Sequence, residues 1–290
     1  METAELLKRV RKIEITSRGL TNQIFSGQYH SAFKGRGMAF SEVREYQFGD
    51  DIRSIDWNVT ARFNHPFVKI FEEERELTVM ILIDVSGSNK FGTKLQLKSE
   101  KIIEIAAVLA FSAIKNNDKV GVIFFSDKIE KFIPPKKGTS HILRIIRELV
   151  DFKPEKSTTS ISEPLKFLTN AIKKRCTAFL ITDFMDNNFA DAIKIASRKH
   201  DLVGVRIVDH RETELPDIGL VKFHDFETGA IHWADTSSKE LRNTHKFRWE
   251  QHEKKLQEVF LKSNIDVATI QTDEDYIKPL MTLFKKRSAR

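Results

Sequence analysis

Leu77-Thr-Val-Met-Ile-Leu-Ile83, followed at once by Asp84-Val-Ser86-Gly-Ser88, is the stretch whose reading decides the fold. Its first seven residues are apolar or β-branched with no polar alternation. That is the pattern of a strand covered on both faces, as in parallel sheets whose crossover helices lie above and below. The run stops on Asp84, and the small polar residues after it predict a loop at the strand's carboxyl end.

Working outward, Lys94 to Asn116 carries apolar residues at helical spacing and stops at an Asn-Asn-Asp turn. Val120 to Phe125 predicts the next strand, and Ile129 to Ile133, closed by Pro134-Pro135, an edge strand. Helices are expected at about 140–151 and 161–174, a strand from Thr177 to Thr182, a helix at about 188–199 and a strand from Leu202 to Val208. A long helix at 238–263, a strand from Ile265 to Ile270 and a helix from Asp275 to Arg287 complete the series. This alternation predicts an α/β fold, a doubly wound and mostly parallel sheet with helices on both faces. Residues 216–236 interrupt it with two short runs, Gly219 to Phe226 and Ala230 to Trp233, read as an inserted β-hairpin. Residues 1–76 are a different text. A short amphipathic helix leads into a Gly-containing, charge-dense segment, and Pro66 to Glu76 offers a strand. Without a linker-like composition, this charged segment is expected to pack on the main domain, residues 77–290.

Composition narrows the classes. With 290 residues, 40% apolar and 31% charged, the chain is ordinary globular material and long enough for a substantial core. Its single cysteine, Cys176, excludes a disulfide framework and Cys-rich zinc sites, and is expected to be a small core residue. The longest apolar run, Ile102 to Ile114, is too short for a bilayer and contains Glu104, and the N-terminus has no apolar signal core, so a cytoplasmic protein without a membrane span is expected. The net charge of +7 raises the question of nucleic acid. More than half of that excess, +4, falls in residues 236–290, ending in Lys285, Lys286, Arg287 and Arg290. No stacking-aromatic or finger pattern accompanies it, so a solvated helix end is the better reading.

Ligands of open α/β sheets bind outside the carboxyl ends of the strands. The expected strand ends carry Asp84, Ser86 and Ser88, then the loop Ser157-Thr158-Thr159-Ser160, then Asp183. All are oxygen donors, a set suited to a hard cation, Mg²⁺ or Mn²⁺, with water in the remaining positions. Asp-x-Ser-x-Ser turns three side chains toward one point. Each fragment alone is common and reads equally well as a helix N-cap. Their arrival in order at three strand-end loops is what raises them above caps.

These residues carry a resemblance. Asp84-x-Ser86-x-Ser88, Thr159 and Thr182-Asp183 together resemble the von Willebrand factor A fold with its metal-ion-dependent adhesion site (MIDAS), over about residues 77–290. Gly35-Arg-Gly-x-x-Phe40, Val43-Arg-Glu-Tyr46, Gly49-Asp-Asp-x-Arg53, Ile55-Asp-Trp57, Ala61-Arg62, Phe71-Glu-Glu-Glu-Arg-Glu and Asp209-His-Arg-Glu-x-Glu-Leu-Pro216 resemble the bacterial family called domain of unknown function 58. The resemblance implies direct cation ligation by Ser86 and Ser88, a direct or water-mediated part for Thr159, and Asp84 and Asp183 acting largely through water. It implies an open coordination position for a partner's carboxylate, and association with a MoxR-type AAA+ ATPase or its client protein. The chain departs from the adhesion-site pattern at Asn89-Lys90, which sets an ammonium beside the ion.

The N-terminal segment has its own charged residues. Asp50, Asp51 and Asp56 have the composition of a metal-dependent nuclease cluster. Arg44, Arg53 and Arg62 are interleaved at matching density, which favours a structural or interaction network of ion pairs with Trp57 and Phe40 as apolar anchors. Gly35-x-Gly37 lacks a preceding strand and a third glycine, and Lys136-Lys137-Gly138-Thr139 lacks the upstream glycine of a phosphate loop. The sequence thus leads to a metal-dependent, non-enzymatic adaptor, with a metal-dependent hydrolase (phosphatase or nuclease) at the strand-end cleft or at Asp50, Asp51 and Asp56 as the alternative.

Overall fold

The computed structural model describes residues 11, 13–18, 20–21, 38–73, 76–90, 97–154, 158–224 and 229–289. The chain forms two compact units, one of residues 34–77 and one of residues 1–33 with 78–290.

The larger unit is built on a six-stranded sheet: β3 (Thr78–Asp84), β4 (Lys119–Phe125), β5 (Ile129–Lys136), β6 (Thr177–Thr182), β7 (Asp201–Val208) and β10 (Asp266–Gln271). Their spatial order is β10-β7-β6-β3-β4-β5, parallel throughout except that β5 runs antiparallel to β4 at the edge. The decisive run lands where its composition demands, in the middle, with Val79 to Ile83 wholly buried. Helices α2 (Lys98–Lys115) and α3 (Thr139–Asp151) cover one face. Helices α4 (Ser162–Ala171), α5 (Ala190–Lys199) and α7 (Lys239–Ser263) cover the other, where Leu165, Leu168, Ile193 and Leu256 pack on Met80, Leu82 and Leu180. A four-residue α6 (His210–Thr213) follows β7, and α8 (Ile277–Ser288) closes the chain. Cys176 is buried and burial pushes its thiol up to about 12, the behaviour of a core residue.

The chain enters the sheet at β3, builds outward through β4 and β5, then returns to β6 on β3's other side. The topological switch point, where open α/β sheets bind ligands, is therefore between the carboxyl ends of β3 and β6. The sequence stopped the edge strand before Pro134, whereas β5 runs through both prolines to Lys136. Two features permit this. An edge strand has no second neighbour for the missing N–H groups, and Gly121 opposite has no Cβ, which would lie 2.8 Å from the nitrogen of Pro135. The start of the first long helix, 94–97 in the sequence reading, falls mostly outside the described residues, and α2 is seen from Lys98. The expected hairpin is β8 (Leu220–His224) paired antiparallel with β9 (Ile231–Asp235). Its outer face presents Leu220, Trp233 and Ile231 to solvent. Among the described residues no helix is long and apolar enough to cross a membrane.

In the smaller unit β1 (Met38–Glu45) pairs antiparallel with β2 (Phe67–Glu73), with an irregularity between Phe40 and Glu42. Between them lie a 3₁₀ turn, Ile52–Ser54, and α1 (Trp57–Phe63). The sequence reading offered β2 but not β1, because charged residues at both Glu42 and Arg44 remove the apolar alternation that marks a strand. Trp57 is not a buried anchor. It is 68% exposed on α1, because Asp56 caps the helix immediately before it and fixes it in an exposed first turn. The Phe40 side chain and the Gly35-x-Gly37 segment lie outside the described residues.

Candidate functional site

Asp84 is the last residue of β3 and is 1% exposed. One oxygen accepts from the backbone N–H of Ser86 at 2.9 Å, which folds the loop back on itself, and the other from the Thr182 hydroxyl at 2.6 Å. The parallel register makes the second bond possible, since Ile83 pairs with Ile181 and the two strands end together. The turn brings the Ser86 and Ser88 hydroxyls within 3.0 Å of each other. The 3₁₀ turn Gly87–Lys90 then aims the Asn89 amide at the Asp84 carbonyl, Nδ2 donating at 2.9 Å. The Lys90 side chain lies outside the described residues.

Asp183 follows β6 and is 3% exposed. One of its oxygens accepts from the N–H of Met185 at 3.2 Å. The next residue, Phe184, has φ 60°, a conformation costly for a bulky side chain. Packing holds it there. Its ring is wholly buried against Phe189 and Phe260, over Gly204, whose missing Cβ would stand 3.3 Å from the ring. Arg206 of β7 donates to the Asp183 carbonyl at 3.2 Å, and His252 of α7 lies 3.1 Å from the Phe184 carbonyl. Arg206 also pairs with Glu253 and stacks on Trp249. The turn that carries Asp183 is thus clamped from two elements.

Thr159 is half-buried, and its loop is fixed on both sides. Ser160 N–H bonds the Ser126 carbonyl at the end of β4, and Ile161 N–H bonds Asp186 at 2.9 Å in the loop after β6. Asp84, Ser86, Ser88, Thr159 and Asp183 are therefore all carried by loops at the carboxyl ends of neighbouring strands.

The sequence reading missed Lys98. The first residue of α2, it is 0% exposed, and its ammonium donates to Asp183 at 3.2 Å and to Glu212 at 2.5 Å. Glu212 closes the capping box of α6, its other oxygen accepting from Asp209 N–H at 3.0 Å. Burial works against the Lys98 charge, but Asp183 and Glu212 outweigh it and raise its pKa. Glu212 is also raised, burial exceeding the help it takes from Lys98. Burial and the nearby Asp183 charge push Asp84 up to about 7. A signal for one member of this cluster was legible, since Arg206 is a charged residue inside the apolar run Leu202 to Val208. Lys98 had none, being one of several lysines around a helix start.

The donor set fits a hard divalent cation on two observations. Of the two buried carboxylates, Asp183 meets an ammonium that it shares with Glu212, while Asp84 is held by uncharged donors alone and feels the Asp183 charge. The buried Asn89 Oδ1 has no hydrogen-bond partner among the described residues. No group of three or more His, Cys, Asp or Glu side chains poised for a metal occurs among the described residues, so hydroxyls would have to complete any such shell.

In the smaller unit Asp50, Asp51 and Asp56 each have separate local partners. Asp50 takes a two-pronged bond from Arg44, at 2.7 and 2.8 Å, which holds it below the usual carboxylate range. Asp51 caps the 3₁₀ turn by accepting from Arg53 N–H, and Asp56 caps α1 and lies 3.4 Å from Lys69. Arg53 and Arg62 are exposed.

Several known proteins are similar to this chain. "Uncharacterized protein Rv1480" of Mycobacterium tuberculosis is 26% identical over 234 residues, 80% of this chain and 74% of its own. Among solved structures, the conserved hypothetical protein BatB of Bacteroides thetaiotaomicron superposes with a TM-score of 0.50 at 17% identity, covering 74% of this chain and all of the other. The SpRpn10 VWA domain superposes at 0.42 and 12% identity, over 73% of this chain and 95% of its own. The BatB likeness bears on the fold alone, a mostly parallel sheet covered by helices. Residues 42–255, which run from β1 through most of α7 and include all five strand-end residues, match the family described as "Protein of unknown function DUF58", and the chain belongs to that family.

Proposed function

We propose that this protein is a non-enzymatic adaptor that binds another protein through a divalent cation at the β3–β6 switch point. The reading is supported by a single observation above the rest. Two buried aspartates stand at the carboxyl ends of adjacent parallel strands, Asp84 on the loop whose two serine hydroxyls lie 3.0 Å apart and Asp183 on an ammonium that it shares with Glu212. Ser86, Ser88 and Thr159 would supply neutral oxygens to Mg²⁺ (or Mn²⁺), and Asp84 and Asp183 the charge. The cation would supply an open coordination position for a carboxylate of the partner. Within the chain, Thr182 and the Ser86 N–H hold Asp84, Arg206 and His252 hold the Asp183–Phe184 turn, and the α2 amino end closes the site with Lys98.

The partner in this proposal is a MoxR-type AAA+ ATPase or its client protein in the cytoplasm, by the family resemblance. Co-precipitation of the purified chain with a MoxR-type AAA+ ATPase of the same organism is the test. Binding is expected with Mg²⁺ and lost with EDTA or with Asp84→Ala. Binding indifferent to both changes would refute the metal-bridged mechanism, and Mg²⁺-dependent turnover of a phosphate ester would refute the non-enzymatic reading.

A further inference from the structure

Lys98 is a wholly buried lysine in direct contact with the site yet unable to ligate a cation. Desolvating an ammonium is costly, and an apolar side chain of similar length would fill the same volume without that cost. Its contacts define what the charge does. From the first turn of α2 it reaches Asp183, after β6, and Glu212, after β7, so one ammonium joins three strand-end segments. Among the described residues the charges of the site are Asp84, Asp183 and Glu212 against Lys98, which bonds Asp183 and Glu212, a formal balance of two negative charges. Of the other buried cations, Arg206 is matched by Glu253 and meets the site only at the Asp183 carbonyl, and Lys101 donates to the Glu274 carbonyl.

We propose that Lys98 is the fixed cation of the strand-end site, setting its charge so that one divalent ion neutralises it and still accepts a partner's carboxylate. The inference rests on the metal reading above and adds a positioning residue to it. Affinity for hard cations follows the number of anionic ligands. Without the ammonium the site would carry three negative charges, hold Mg²⁺ more tightly, and meet an incoming carboxylate with a residual negative charge. With the ammonium but without Glu212, the reverse holds: the site would carry one negative charge, and Lys98 would turn wholly to Asp183.

Calorimetric titration with Mg²⁺ alone tests this on wild type, Lys98→Met, Glu212→Gln and the double variant, each checked for a cooperative thermal transition. Lys98→Met is expected to bind Mg²⁺ at least about tenfold more tightly, and Glu212→Gln about fivefold more weakly, one charge being added or removed close to the ion. The double variant restores the balance and is expected within about threefold of wild type. A merely structural ion pair would not move affinity in opposite directions. Wild-type affinity in Lys98→Met and Glu212→Gln, or weaker binding in Lys98→Met, overturns the role of Lys98 while leaving the metal site standing. No saturable Mg²⁺ binding by any of the four at millimolar concentration overturns the metal reading and this inference with it. Should Lys98→Met fail to fold, Glu212→Gln and the double variant, whose buried pair is neutral, decide the question by the same affinities.

Discussion

The strand-end site and the Lys34–Leu77 unit are built from the same local device and put it to opposite uses. Asp84, Asp183, Asp51 and Asp56 each accept the N–H of the residue two positions on, at 2.9, 3.2, 2.9 and 3.0 Å. What differs is the rest of the carboxylate and its surroundings. In the smaller unit the carboxylates cap exposed turns or meet Lys69 and Arg44 near solvent. At the strand ends they are buried, Asp84 held by uncharged donors and Asp183 on an ammonium that it shares with Glu212. An aspartate at a turn is spent in one place and left with unbalanced charge in the other. Burial and the count of cations decide which.

The largest expected effect separates the two regions by packing. Phe184 is wholly buried and holds its turn at a positive φ, so Phe184→Ala should cost about 3–5 kcal/mol in denaturant unfolding. Phe63 of the smaller unit is 63% exposed, and Phe63→Ala should cost under about 1 kcal/mol. Equal losses would break the contrast. The next effect separates them by charge. Asp84→Asn should weaken Mg²⁺ binding by about a hundredfold in calorimetry, because a buried anionic ligand is removed. Asp51→Asn should leave Mg²⁺ binding unchanged, asparagine serving as well at the cap. Loss of binding in the second variant would move the metal to the smaller unit and revive the hydrolase alternative.

How much of this was legible beforehand follows from what each residue's role depends on. Leu77 to Ile83 announced a central strand because burial on both faces writes itself into seven consecutive residues. Asp84, Ser86, Ser88, Thr159 and Asp183 could be placed at strand ends because strand ends are predictable once strands are. Lys98 and Glu212 could not, since their pairing spans 114 positions and depends on how α2 and α6 dock, for which one lysine and one glutamate carry no local mark. The β1 strand escaped because charged residues at Glu42 and Arg44 remove the apolar alternation that marks a strand. Trp57 misled because a large aromatic in a charge-dense segment reads as an anchor, whereas its position just after the Asp56 cap exposes it.

A smaller effect comes from a buried group away from the site. His200 is 0% exposed, lies 3.2 Å from the Cys176 sulfur, and is lowered to about 4 by burial and then by Lys199 and Arg175. The unfolded chain takes up this proton below about 6.5, and the folded chain withholds it until about 4. Stability contributed here is present above pH 6.5 and falls as the pH drops toward 4. Thermal midpoints of wild type should decline over that window more steeply than those of His200→Gln. Parallel profiles would show that the histidine is solvated or already charged.

The smallest effect examines the surface end of the comparison. Arg44 and Asp50 make two parallel bonds near solvent, where attraction is screened and side-chain ordering offsets part of it. A double-mutant cycle of Arg44→Ala and Asp50→Ala should therefore give a small coupling that shrinks with added salt. Arg44→Lys should lose most of that coupling as well, because an ammonium cannot offer the paired N–H groups that match both carboxylate oxygens. The equivalent cycle at Lys98 and Asp183 should behave differently. That pair is wholly buried, so its coupling should be larger and nearly independent of salt. If the two cycles respond to salt alike, the strand-end carboxylates are as hydrated as those of the surface, and the excess charge proposed to draw a cation there is already neutralised by water and counterions.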